Sequence, residues 1–236
     1  MYGGYYGYYY DATYVLVLIG ALLCIGASTY LNSTFKKYSQ IRSRRGITGE
    51  EAALRILKAA GIGDVTVTHV TGSLTDHYNP RKKEVCLSDA VYGSNSLAAL
   101  GVAAHECGHA IQHQQKYMPL QLRSALVPVT NIGSKVGLPL VIIGLLLGLN
   151  TTLVPLGIII FSVTVLFQIV TLPVEFNASR RAVGILGSSG ILYEEETQGC
   201  QKVLFAAALT YVAAAASSIL QLLRLILLSG NRRRRD

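Results

Sequence analysis

VGLPLVIIGLLLGLNTTLVPLGIIIFSVTVLFQIVTLPV, running from Val136 to Val174, contains no charged residue, and the polar cluster Asn150-Thr151-Thr152 interrupts it near the middle. A membrane-spanning helix takes about 20 predominantly apolar residues. The stretch therefore reads as a hairpin of two spans: a short helix up to Leu149, a tight polar turn, and a second helix over Thr152 to Pro173. Two more runs qualify singly. Ala12 to Phe35, centred on TYVLVLIGALLCIGASTYL, is uncharged, and Val203 to Leu223 is the other. Composition agrees, with 51% hydrophobic and 14% charged residues and a mean hydropathy of +0.40. Soluble domains carry about a quarter charged residues. A chain of this size cannot surround three or four such segments with soluble protein, so the bilayer is their expected solvent.

Around these spans the chain divides into five parts. Residues 1–35 form a Tyr/Gly tail and the first transmembrane helix. Residues 36–124 are the water-facing segment, 125–174 the transmembrane hairpin, 175–202 a further helix and loop, and 203–236 the last membrane helix with a basic tail. MYGGYYGYYYD has no basic residue ahead of the apolar run, so a cleaved secretory signal is not expected. The segment reads as a disordered tail whose aromatic rings suit the membrane interface.

The net charge of +8 is clustered. Lys36, Lys37, Arg42, Arg44 and Arg45 follow the first span, and Arg232 to Arg235 close the chain. Beside membrane helices such clusters set topology and meet anionic headgroups, which makes lipids the partner and argues against nucleic acid. The positive-inside preference places the water-facing segment in the cytoplasm. The hairpin then returns Glu175, Arg180 and Arg181 to that side. The last run disagrees, because a full crossing leaves Arg232 to Arg235 outside. A surface-lying or re-entrant helix around Arg224 stays open; four spans is the reading taken.

Within the water-facing segment, Thr48-Gly49-Glu50-Glu51 has the form of a capping box, and the helix it opens runs to Ala60, where Gly61 stops it. Asp64 to Val70 reads as a strand, and Lys83 to Leu87 as a second one after the turn residues Asn79-Pro80. That second strand, just ahead of the next helix, is a candidate edge for binding an extended peptide by β-addition; an ordinary sheet edge is the plain alternative. A helix follows from Ser94 or Ser96 through His113, ending before Pro119.

That helix carries His105-Glu106-Cys107-Gly108-His109, an H-E-x-x-H sequence. Residues i and i+4 share a helix face, so both imidazoles can reach one Zn²⁺. Glu106 lies about 100° round the helix from His105, where it can act as general base without being a ligand. His113 continues the series. At 1.5 Å per residue it lies roughly 12 Å from His105 along the axis, too far to share a metal. The third ligand expected is Glu175, which the hairpin returns to the same side, in LPVEFNASRRA; carboxylates at a membrane boundary are costly and tend to be functional. The plain alternative is a helix-start carboxylate facing the N-terminal dipole. Cys24, Cys86, Cys107 and Cys200 form no close pair, so neither a cysteine zinc site nor a disulfide scaffold is expected. Cys107 reads as a small apolar packing residue.

GVAAHECGHAIQH, with DHYNP…LSDAVY and LPVEFNASRRA, resembles the YugP-type membrane zinc peptidases over nearly the whole chain. More distantly it is similar to HtpX and the CAAX-prenyl proteases. The resemblance implies a bacterial cell membrane, zinc as cofactor, His105, His109 and Glu175 as ligands and Glu106 as base. The distant relatives carry an aspartate where this chain has Ser179, and that aspartate orients a zinc-binding histidine. Either Ser179 or Asn177 could take its place. Arg180, Arg181, Tyr193 and His77 are candidate oxyanion partners.

The expected fold is mainly α and integral to the membrane: about four transmembrane helices plus a small α+β zinc-peptidase domain with a short sheet and the HExxH helix. The expected function is a membrane-embedded endopeptidase that hydrolyses peptide bonds with zinc-activated water, acting on protein or peptide substrates. A zinc-binding scaffold or assembly factor without turnover is the alternative. A site-2-type intramembrane protease ranks last, because Asp89 lies close ahead of the motif and no Leu-Asp-Gly occurs.

Overall fold

The computed structural model describes residues 12–147 and 152–233, with backbone alone for 231–233. The Tyr/Gly tail, the centre of the hairpin turn and the last residues of the basic tail lie outside the described residues. Six helices and three strands follow in the order α1 (Tyr14–Ser39), α2 (Gly49–Ala59), β1 (Thr66–Val70), β2 (His77–Asn79), β3 (Glu84–Ser88), α3 (Leu97–Gln114), α4 (Met118–Leu146), α5 (Leu153–Ser188) and α6 (Glu194–Arg233). Four of them, α1, α4, α5 and α6, are long and apolar enough to cross a membrane. The chain is thus a mainly helical membrane protein with a small sheet.

Local signals explain most boundaries. The Thr48 hydroxyl accepts from the Glu51 N–H at 3.2 Å while the Glu51 carboxylate accepts from the Thr48 N–H at 3.3 Å, closing the capping box of α2. Gly61 follows at φ +70°, where a side chain would be strained. Ser96 caps α3 by accepting from the Ala99 N–H at 3.2 Å. At the far end of α3, Lys116 takes φ +50°, its N–H bonds to the His113 carbonyl, and the Tyr117 N–H bonds to the Gln112 carbonyl. This Schellman closure turns the chain sharply into α4.

The sheet corrects one expectation. Its order is β1-β3-β2, with β3 parallel to β1 and antiparallel to β2. The strand expected as the edge is therefore central, and both its sides are occupied. The edges are β1 and β2, and β2, too short to read from the sequence, lies beside α3. Asp76 ties its start to the end of β3, accepting from the Ser88 N–H at 2.7 Å and the Ser88 hydroxyl at 2.9 Å.

The hairpin helices also run further than expected. Pro119 occupies the first turn of α4, where a missing N–H costs nothing, so the polar residues from Met118 onward are already helical. Pro128 and Pro139 lie inside α4 and Pro173 inside α5. Prolines are tolerated in membrane helices because neighbouring groups satisfy the freed carbonyls. Glu175 consequently sits well inside α5, not at a helix start, and the dipole reading of it fails.

One core joins the two regions. Ala53, Ile56 and Leu57 of α2, Val85 and Leu87 of β3 and Leu100, Ala103 and Ala104 of α3 pack with Ala182 and Leu186 of α5 and Val203 and Leu204 of α6. The α3 helix is thereby wedged between the sheet and the two longest helices. It comes close to α5 at Gly108, where a Cβ would stand 2.6 Å from the Ala178 carbonyl oxygen. Only glycine permits that approach.

Candidate metal centre

The close approach of α3 to α5 sets Glu175 against the two histidines. Glu175 Oε2 lies 3.2 Å from His105 Nε2 and 3.6 Å from His109 Nε2. Ligand atoms of the three residues all fall within 4.8 Å of one another. Glu175, His109 and Glu106 are buried and His105 is half-buried. All four line a cavity of about 930 Å³ walled by β2, α3, α4, α5 and α6. Burial alone would push the His109 imidazole pKa down, but its hydrogen bond to Glu175 and the charges of Glu106 and Glu175 outweigh this and raise it.

The outer nitrogens are held as well. His105 Nδ1 is 3.1 Å from the Ser179 hydroxyl, one helical turn beyond Glu175 on α5. His109 Nδ1 is 3.0 Å from Gln112 Oε1. Both rings thus turn Nε2 inward toward the carboxylate. Two imidazole nitrogens and one carboxylate oxygen, with a cavity open beside them, suit a zinc ion with a free coordination position. The donor set fits zinc.

Asn177 bonds neither histidine. Its Oδ1 accepts from Gln112 Nε2 at 2.9 Å and from Arg181 Nε at 2.7 Å. Arg181 also reaches Gln115 Oε1 at 2.6 Å and lies over the Tyr117 ring. Arg180 is exposed and outside the cavity lining. Tyr193 is elsewhere too, packed under Arg44 and Arg45. Of the four oxyanion candidates only His77 lines the cavity. Its Nδ1–H donates to the Thr75 carbonyl at 2.8 Å, which leaves Nε2 available. His113, set aside as a ligand, accepts or donates at 2.9 Å with the Tyr78 hydroxyl and so links β2 to α3.

Two groups in the cavity had no motif to announce them. Arg123 of α4 places Nη1 3.1 Å from Glu175 Oε1, the carboxylate oxygen turned away from the histidines. Tyr211 of α6 lines the same wall. Arg123 precedes an apolar run, where a lone charge reads as a topology signal. Tyr211 lies within an apolar run and carries no signal. Gln112 was legible in principle, since i and i+3 share a helix face.

With this geometry in place, similarity to known proteins decides the family. The model of the family described as "Putative neutral zinc metallopeptidase" matches residues 13–230. The chain belongs to this zinc metallopeptidase family. It is also 49% identical over 202 residues to "Putative membrane protease YugP" of Bacillus subtilis strain 168, covering 85% of this chain and 89% of that protein. No solved structure matches the chain. Zinc is the metal of the family, and in this member His105, His109 and Glu175 form the cluster able to hold it among the described residues.

Proposed function

We propose that this metallopeptidase-family member is an endopeptidase of the bacterial cell membrane whose cavity opens toward the cytoplasm. The observation that carries the reading is Glu106 in one cavity with the His105, His109 and Glu175 donor set. In this reading His105, His109 and Glu175 would hold the metal. When bound, zinc polarises a carbonyl and makes water a nucleophile near neutral pH. Glu106 takes the proton from the attacking water and delivers it to the leaving amine. Arg123 neutralises Glu175 from its far oxygen. Tyr211 and His77 stand on the cavity wall, where either can donate to the oxygen that gains charge as the peptide carbonyl becomes tetrahedral. The edge strand β2, tied to α3 through Tyr78 and His113, offers backbone groups to an extended peptide. The cytoplasmic orientation rests on Lys36, Lys37, Arg42, Arg44 and Arg45 after α1.

The test compares purified wild type with Glu106→Gln in detergent, using a quenched fluorescent peptide library and metal analysis. Both should carry zinc, and only wild type should cleave, with a loss of at least about 10²-fold in the variant. Full cleavage by Glu106→Gln would overturn the assignment of the base.

A further inference from the structure

A chain of side chains runs from the surface of α5 to the inner face of α3. Arg181 Nε–H donates to Asn177 Oδ1 at 2.7 Å, which fixes which end of the Asn177 amide is oxygen. Gln112 Nε2 then donates to that same oxygen at 2.9 Å and to the Val174 carbonyl at 2.8 Å. Both neighbours are acceptors, so the Gln112 amide has one orientation, with Oε1 directed at His109 Nδ1 at 3.0 Å. An amide oxygen can only accept. Nδ1 of His109 must therefore carry a proton, and in the neutral ring this leaves the lone pair on Nε2, the nitrogen on the Glu175 side. Gln112 is fully buried and Arg181 is itself held by Gln115.

We infer that Arg181, Asn177 and Gln112 are positioning residues that select the metal-binding tautomer of His109. This inference rests on the zinc-site reading above. It gives α5 control of all three donors: Glu175 directly, His105 through Ser179, and His109 through Asn177 and Gln112. Partners of this kind are worth about 10–100-fold in metal affinity at known sites.

Two measurements test it on the full chain in detergent. The first is the ¹⁵N spectrum of histidine-labelled, metal-free protein at alkaline pH, which distinguishes Nδ1–H from Nε2–H. The second is the zinc Kd from competition with a chromophoric chelator. Asn177→Leu and Gln112→Met should each mix the His109 tautomers and weaken zinc by about tenfold or more, whereas Asn177→Asp, which keeps the acceptor, should stay within about threefold of wild type. Arg181→Met, at a half-buried position, carries the test if Gln112→Met does not fold; it should give mixed tautomers with a smaller loss of affinity. A pure Nδ1–H form with unchanged Kd in Asn177→Leu would overturn the inference. The spectrum needs no zinc, so it stands even if wild type fails to load metal, a result that would instead defeat the zinc-site reading.

Discussion

The Ser179 hydroxyl lies 3.1 Å from Nδ1 of His105, one turn along α5 from the Glu175 carboxylate that faces Nε2 of the same ring. One helix therefore grips both edges of that imidazole. Ser179→Ala should weaken zinc binding by about tenfold and Ser179→Asp should preserve it, since an acceptor at Nδ1 is what orients the ring. Chelator competition measures both. Equal affinity in wild type and Ser179→Ala would show that the hydroxyl does not matter.

Gly108 controls how closely α3 and α5 meet. In Gly108→Ala the new methyl would stand 2.6 Å from the Ala178 carbonyl oxygen, against rigid backbone. The helices must separate, at about 1–3 kcal/mol of stability. Glu175 would move away from His105 and His109 in the same motion. A lower unfolding temperature together with weaker zinc binding is expected; wild-type values for both would contradict the close approach.

Arg123 is the counter-charge of a carboxylate that is only 2% exposed. Without it His105 and His109 still face this buried carboxylate, but part of its compensating charge is lost. Arg123→Met should therefore lower the stability of the metal-free protein by a few kcal/mol. Saturating zinc should recover most of that loss, because the metal supplies positive charge at the same carboxylate. Thermal unfolding in detergent with and without zinc separates the two states, and a loss that zinc leaves unchanged would rule out this role.

Cys107 lies between His105 and His109 in the sequence, but its side chain packs toward α2. It is fully buried, with Sγ 3.7 Å from the Ala53 carbonyl oxygen. Burial first, and the Glu106 charge second, push its thiol pKa far above the ordinary value. The folded protein therefore keeps the proton as pH rises through the unfolded thiol pKa of about 8.5, and reactivity should not increase there. Maleimide at pH 8 to 9 should label Cys107 only after unfolding, as read by peptide mass spectrometry. Rapid labelling of the native protein would be the contrary result.

Much of this arrangement was legible in the residues. Spacing placed His105 and His109 on one face of α3, and the uncharged hairpin pointed to Glu175 as the residue returned beside them. What was hidden depended on contacts between elements remote in sequence. β2 has three residues and no periodicity to read, so β3 passed for the edge. Pro119, Pro128 and Pro139 concealed the true extent of α4, and with it the position of Arg123. Tyr211 looks like any aromatic in an apolar run until α6 packs beside α5. Gln112 stood in plain view, but its meaning depends on Asn177, which only the fold brings near.

The zinc-edge X-ray absorption spectrum of the purified, zinc-loaded protein reads the donor set of His105, His109 and Glu175 itself. Two imidazole nitrogens at about 2.0–2.1 Å, oxygen donors at about 2.0–2.2 Å and no sulfur are expected, with one oxygen donor lost in Glu175→Ala. A sulfur shell near 2.3 Å, or a Glu175→Ala spectrum identical to wild type, would contradict that donor set.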